Sequence, residues 1–233
     1  MGKVTSVGAM SARKWEMCDH LAPEWRRVVG YPARNFKMLI WGASGNGKTS
    51  FTLALCKALT AEGRVYYNSA EEGDSPSFAA ACVRAGLDQV PKEKFVVADK
   101  HDYAEMVAFL RIPRNRTQFV VIDSLQYMGL TKAQYKDLIR EFPRKAFIII
   151  SWERPGGAPK GEHAQGIRYM VDIKCYVKSG VAKADSRFGA TEPYKIFDAN
   201  TRLTLPHEGD DANHNQPAEQ LALELTGGEA VAV

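Results

Sequence analysis

The sequence predicts an α/β fold with a mainly parallel central sheet, helices on both faces, and antiparallel strands at its C-terminal end. Three observations carry this. From Phe36 to about Leu205, short apolar, β-rich runs alternate with helical patterns, which is the signature of βαβ units. One of those runs leads directly into "GASGNGKT", Gly42–Thr49, and then into a helical stretch, which is where a phosphate-binding loop has to sit. After Ser151 the pattern changes to consecutive strand-like segments joined by turns, so the sheet is expected to finish antiparallel.

Composition sets the outer bounds. A chain of 233 residues, 45% hydrophobic and 25% charged, suits a globular domain of ordinary to large size with a real core. No stretch reaches the roughly 20 apolar residues of a membrane span, and "MGKVTSVGAMSARKWEMCDH" has no secretory apolar run, so a cytoplasmic location without a membrane partner is expected. Cys18, Cys56, Cys82 and Cys175 form no CxxC pair and have no histidines at ligand spacing. They are expected to be buried or inert thiols, not a zinc site or a disulfide framework. Six acidic residues and no Lys or Arg follow Pro206, leaving 31 basic against 21 acidic residues in the first 205, a net +10 within an overall +4. A basic body with an acidic tail suits a polyanionic partner, and an ordinary solvated charged surface fits as well.

The elements follow in order. Residues 1–35 place Trp15, Leu21, Trp25 and Val28 at spacings open to a short amphipathic helix, and read as a helical lead-in or linker segment. It either packs on a neighbouring copy or covers its own sheet. In the core, 36–205, "KMLIW", "RVYYNSA", "KFVVA", "QFVVIDS" and "KAFIIIS" are the strand runs. "KTSFTLALCKALTAEG", "SPSFAAACVRAGL", "YAEMVAFLRI" and "KAQYKDLIREF" are the helices between them. "MVDIKCYVKSG", "VAKADSRFG" and "EPYKIFDA" form the closing strands. The segment 206–233 is polar and acidic with one helical patch, "PAEQLALEL", and is expected to be flexible.

The chemistry concentrates on the glycine-rich turn. Gly42, Ala43, Ser44, Gly45, Asn46, Gly47, Lys48, Thr49 and Ser50 form the candidate nucleotide-binding loop. Its glycines allow backbone N–H groups to point inward, and the following helix adds its positive end. Lys48 is expected to reach the β- and γ-phosphates of ATP, and the Thr49 hydroxyl to ligate Mg²⁺. Asp123, closing the buried run "QFVVID", is the second metal anchor. A carboxylate that orients water is expected just after "RVYYNSA", and spacing leaves Glu71 and Glu72 as alternatives.

Four segments resemble the RecA-like P-loop ATPases, in particular the RadA branch and the DnaB-type hexameric helicases, and the likeness is to the core domain alone. They are "VYYNSAEEG", "FVVIDSLQ", "RPGGAPKGEHAQGIRYMVD" and "DSRFGATEPYKIF". The resemblance implies Glu71 as the catalytic glutamate and Arg187 as a finger inserted into a neighbouring subunit's ATP site, with Phe188 packed beneath it. It also implies that the glycine-rich loop with Arg154, Lys160 and His163 contacts single-stranded DNA. "RIPRNR" is a further basic cluster, better explained as a solvated loop. Two positions depart from the family pattern. Asp185 stands where the motif has lysine, with Lys183 two residues away, and Trp152 stands where a polar sensor is usual.

The expected function is an ATP-hydrolysing, Mg²⁺-dependent motor, a homo-oligomeric ring or filament on single-stranded DNA in replication, recombination or repair, with a protein partner from those processes. The alternative is a regulatory or adaptor ATPase whose nucleotide state controls a protein partner. A small-molecule kinase shares the phosphate loop but leaves "DSRFG" unexplained.

Overall fold

A computed structural model of the chain describes residues 4–198; the acidic segment 206–233 lies outside them. In chain order the elements are α1 (Val7–Ser11), α2 (Pro23–Val29), β1 (Lys37–Gly42), α3 (Lys48–Leu59), β2 (Arg64–Ser69), α4 (Pro76–Arg84), β3 (Phe95–Asp99), α5 (Tyr103–Arg111), β4 (Thr117–Asp123), α6 (Leu125–Met128), α7 (Lys132–Glu141), β5 (Ala146–Arg154), β6 (Ala158–Pro159), α8 (Glu162–Arg168), β7 (Ile173–Lys178), β8 (Val181–Ser186) and β9 (Tyr194–Lys195). Local chemistry sets several boundaries. Asp102–Glu105 and Thr131–Gln134 form reciprocal capping boxes at the starts of α5 and α7, each satisfying two orphan N–H groups. Proline opens α2 and α4, where its missing N–H is not needed.

The strands form one sheet in the order β3-β2-β4-β5-β1-β7-β8-β9, with β6 folded back on β5. All pairings from β3 across to β7 are parallel, and β7–β8, β8–β9 and β5–β6 are antiparallel. One strand, β5, separates the strand ending in the phosphate loop from the strand ending in Asp123. The sheet is thus mainly parallel, closed by antiparallel strands at its C-terminal end.

Period-two alternation divides the core into two layers. Met38, Ile40, Val65, Tyr67, Val121, Ile148 and Ile150 face α2, α3 and α4, while Leu39, Tyr66, Val120, Ile122, Phe147 and Ile149 face α5 to α8. Both faces are covered, so the central strands are apolar throughout.

The N-terminal region does not form one amphipathic helix. Trp15 is 55% exposed and precedes α2, whereas Leu21, Trp25 and Val28 are buried in the chain's own core. Trp25 stacks on Tyr194 at 4.7 Å and tilts against Phe51 at 5.9 Å. These three apolar residues therefore cover their own sheet. Among the described residues no helix is long and apolar enough to cross a membrane. All four cysteines are free thiols, and burial pushes Cys18 up to about 12 and Cys82 up to about 11. Such thiols are poor nucleophiles.

Candidate nucleotide and nucleic-acid site

In a parallel sheet the loops after the strands share one edge, and ligands gather there. β1, β2, β4 and β5 end at that edge with Gly42, Ser69, Asp123 and Arg154. The phosphate loop turns on Gly45 (φ 67°) and Gly47 (φ 96°), in the left-handed region that favours glycine. Gly42 is needed for a different reason: a Cβ there would stand 2.1 Å from the carbonyl oxygen of Val177 on β7. Lys48 Nζ donates to Ala43 O at 3.0 Å. Burial pulls its ammonium below the ordinary lysine range, opposed by the carboxylates of Asp123, Glu71 and Glu153. Asn46 Oδ1 accepts from Ser179 N at 3.3 Å, which ties the loop to the β7–β8 turn.

The two residues expected to anchor a metal lie together. Thr49 Oγ1 donates to Asp123 Oδ2 at 3.2 Å, and the buried Tyr67 hydroxyl donates to the same oxygen at 2.5 Å. Burial pushes Asp123 up to about 6; the Tyr67 and Thr49 hydrogen bonds and Lys48 oppose this, while Glu71 adds to it. Tyr67 is a site residue that no sequence motif marks. Its signal is its place on the same strand face as Val65, two residues away, pointing toward the β4 carboxylate.

The structure separates the two candidate acids. Glu72 Oε2 accepts from Ser77 Oγ at 2.7 Å at the start of α4. Glu71 instead donates its backbone N–H to Asp123 O at 3.0 Å, and its side chain is exposed. Burial raises its pKa, the Lys48 ammonium opposes, Glu72 raises it further, and the nearby Trp152 side chain lowers it.

The glycine-rich segment expected to be a loop is a short hairpin: β6 pairs with the end of β5, Glu153 opposite Pro159 and Arg154 opposite Ala158. Trp41 Nε1 donates to Gly157 O at 3.0 Å and pins its turn. Arg154 and Lys160 are exposed on the hairpin, and His163 is exposed in the first turn of α8. "RIPRNR" is a largely exposed turn before β4.

Arg187 is not brought to this site. β8 runs antiparallel to β7, so the residues after Ser186 lie at the opposite sheet edge, roughly 15 Å or more away at 3.3 Å per residue. There the Arg187 guanidinium, 68% exposed, stands 3.7 Å from Asp172. Phe188 O accepts from Tyr31 N at 3.0 Å and lies against Gly30, which docks the motif on α2. Asp185 pairs with Lys174 at 3.5 Å, and Lys183 is exposed. A cavity of about 380 Å³, lined by Ser50, Ala54, Arg84, Tyr194, Ile196 and Phe197 among others, adjoins the loop. No sequence motif announced it, because its walls come from α3, α4 and β9.

No family model and no curated protein matches the sequence. Among solved structures the chain is similar to an ATPase domain, at 15% identity and a TM-score of 0.48, covering 72% of this chain and 82% of that one. It is also similar to the ATP synthase subunit NeqB from Nanoarcheaum equitans, at 12% identity and a TM-score of 0.49, covering 72% of this chain and 51% of that one.

Proposed function

We propose that the chain binds and hydrolyses ATP with Mg²⁺ as a homo-oligomer that acts on single-stranded DNA. The observation that carries this is the convergence of Lys48, Thr49, Asp123 and Glu71 at one sheet edge, with Arg187 at the other. A site needing both must draw its arginine from a second copy. Such trans arginines are worth about 10³–10⁵ in rate where measured.

The residues suit the cation. Thr49 and Asp123 offer hard oxygen donors, and Asp123 is a buried carboxylate whose charge is poorly offset by its neutral partners, which favours a divalent ion there. When bound, Mg²⁺ supplies charge neutralisation at the phosphates. The chain's own groups do the rest. Loop N–H groups and Lys48 orient the triphosphate, Glu71 accepts a hydrogen bond from the attacking water at its carboxylate, and Arg187 of a neighbouring copy stabilises charge on the transferring group. The cavity beside Ser50 has the size and apolar character to seat the nucleobase.

DNA contact falls to Arg154, Lys160 and His163, exposed around the end of β5 next to the hydrolytic residues. Cations among glycines track phosphates without reading bases. With Arg154 and Lys160 as the two phosphate-neutralising cations the log–log salt slope is about −1.4 per subunit. Hydrolysis measured with and without oligo(dT), for wild type and Lys48→Ala, together with oligo(dT) binding at low salt, tests the reading. Lys48→Ala is expected to abolish hydrolysis in both conditions. ATP binding without DNA-stimulated hydrolysis and without oligo(dT) binding would overturn the DNA role and leave a nucleotide-controlled protein adaptor.

A further inference from the structure

At the sheet edge opposite the phosphate loop, where β1, β4 and β5 begin, lies a cluster of cations that ATP chemistry does not use. Two cavities meet there. One, of about 710 Å³, is lined by Arg116, Thr117, Arg144 and Lys145 among others, and one of about 350 Å³ by Arg13, Lys14, Trp15, Arg34 and Arg144 among others. Glu16 and Arg144 line both, so the two form one groove. Its walls are tied together. Arg34 N donates to Glu16 O at 2.9 Å, beside the bridge of Met17 to Ala33. Gln118 Nε2, on β4, donates to Arg34 O at 2.8 Å and to Arg144 O at 2.7 Å. The segment bearing Trp15 is thereby joined to the turn before β5.

The charge in this groove is one-sided. Elsewhere exposed cations meet carboxylates, as Arg27 meets Glu192 and Arg111 meets Glu141. None of Arg13, Lys14, Arg34, Arg116, Arg144 and Lys145 forms an ion pair among the described residues. Of the two carboxylates in the groove, Glu141 is already held by Arg111 at 2.6 Å, which leaves Glu16. Cations gathered in a concavity focus a positive potential and draw a polyanion. Thr117, 2% exposed, adds a buried hydroxyl with no hydrogen-bond partner among the described residues, a donor suited to a phosphate oxygen. Trp15 brings a second chemistry. Its indole is 55% exposed, with the Arg13 guanidinium 5.2 Å from the ring centroid. An exposed aromatic among cations suits a single strand, whose bases stack on the ring while its phosphates meet the charges. A duplex keeps its bases stacked on one another and leaves such a ring unused.

We propose that this groove is a binding site for single-stranded nucleic acid, separate from the β5–β6 hairpin, with Trp15 stacking a base and Arg116 and Arg144 taking phosphates. The groove lies across the sheet from Lys48 and Thr49, roughly 15 Å or more away at 3.3 Å per residue, so its hold on the strand does not depend on nucleotide. It goes beyond the ATPase reading and stands apart from the hairpin contact.

The test follows oligo(dT) binding by fluorescence anisotropy across a salt series, with and without ATP, for wild type, Arg116→Ala/Arg144→Ala, Trp15→Ala and Arg154→Ala/Lys160→Ala. Arg116, Arg144 and Trp15 are exposed, so urea midpoints and DNA-free hydrolysis are expected to stay at wild-type values. Arg116→Ala/Arg144→Ala is expected to weaken binding and to flatten the log–log salt slope by about 1.4, with or without ATP. Trp15→Ala is expected to weaken binding about tenfold and leave the slope in place. Arg154→Ala/Lys160→Ala is expected to keep a nucleotide-independent binding mode. Loss of all oligo(dT) binding in that hairpin variant assigns the strand to the hairpin alone, which overturns the groove and leaves the proposed function standing. Unchanged affinity and slope in Arg116→Ala/Arg144→Ala also overturn the proposal. So does equal binding of duplex DNA with Trp15→Ala silent, binding of polyglutamate in place of oligo(dT), or a smaller assembly of Arg116→Ala/Arg144→Ala in sedimentation, which would make the groove a contact between copies.

Discussion

Asp123→Asn separates the cost of burying this carboxylate from its proposed use as a metal anchor. Asp123 is 6% exposed, and burial raises its carboxyl from the ordinary 3.8 to about 6. Above pH 6 the group is charged in both folded and unfolded chains, and the folded state bears the full penalty. At about 1.36 kcal/mol per pKa unit this is about 3 kcal/mol. Between pH 6 and 3.8 the folded form is protonated first, so the penalty shrinks as pH falls, to about 1 kcal/mol at pH 4.5, and vanishes below that window. Asparagine keeps an oxygen to accept from Tyr67 and Thr49 but carries no charge. Urea denaturation with EDTA and without nucleotide is expected to show Asp123→Asn more stable than wild type by about 3 kcal/mol at pH 7.5 and about 1 kcal/mol at pH 4.5. Mg²⁺ and ATP, added together, are expected to stabilise wild type and leave the variant nearly unmoved. A variant less stable than wild type at pH 7.5, or an advantage that does not shrink toward pH 4.5, would refute the argument.

Two further outcomes follow from the placement of residues. Lys48→Ala and Arg187→Ala are each expected to be inactive alone, and an equimolar mixture to recover about a quarter of wild-type hydrolysis, since random pairing leaves that share of interfaces with both groups intact. Full activity of Arg187→Ala at dilution refutes the trans assignment. Trp25→Ala, at a site 7% exposed and stacked on Tyr194, is expected to cost about 3–5 kcal/mol in urea denaturation; a loss below about 1 kcal/mol would show that this segment does not belong to the chain's own core.

The core was legible wherever periodicity and burial coincide. The runs at β1, β2, β4 and β5 read as central strands because both sheet faces are covered, leaving no polar alternation to blur the pattern. The phosphate loop read cleanly because strand, glycine turn and helix are contiguous, so local chain geometry assembles it. The N-terminal segment read less well. Trp15 and Trp25 look equivalent in spacing, yet only Trp25 meets the ring of Tyr194, which lies 169 residues away. The glycines of "RPGGAPKG" suggested an open loop, whereas the main-chain bonds of β6 to β5 and the Trp41 indole on Gly157 make a hairpin.

The sequence by itself determined the strand and helix order, the glycine turn with Lys48 and Thr49, and the carboxylate closing β4, because each depends on neighbours within a few residues. Tertiary structure brought the Glu71 main chain to Asp123, put the Tyr67 hydroxyl on the same aspartate, placed Arg187 at the far edge of its own sheet, and laid the Lys160 ammonium over the Trp152 ring. Those outcomes depend on which strand lies beside which, and on the direction each runs. Gln126 and Lys160, 34 positions apart, are joined through such pairings, and no local spacing records the contact.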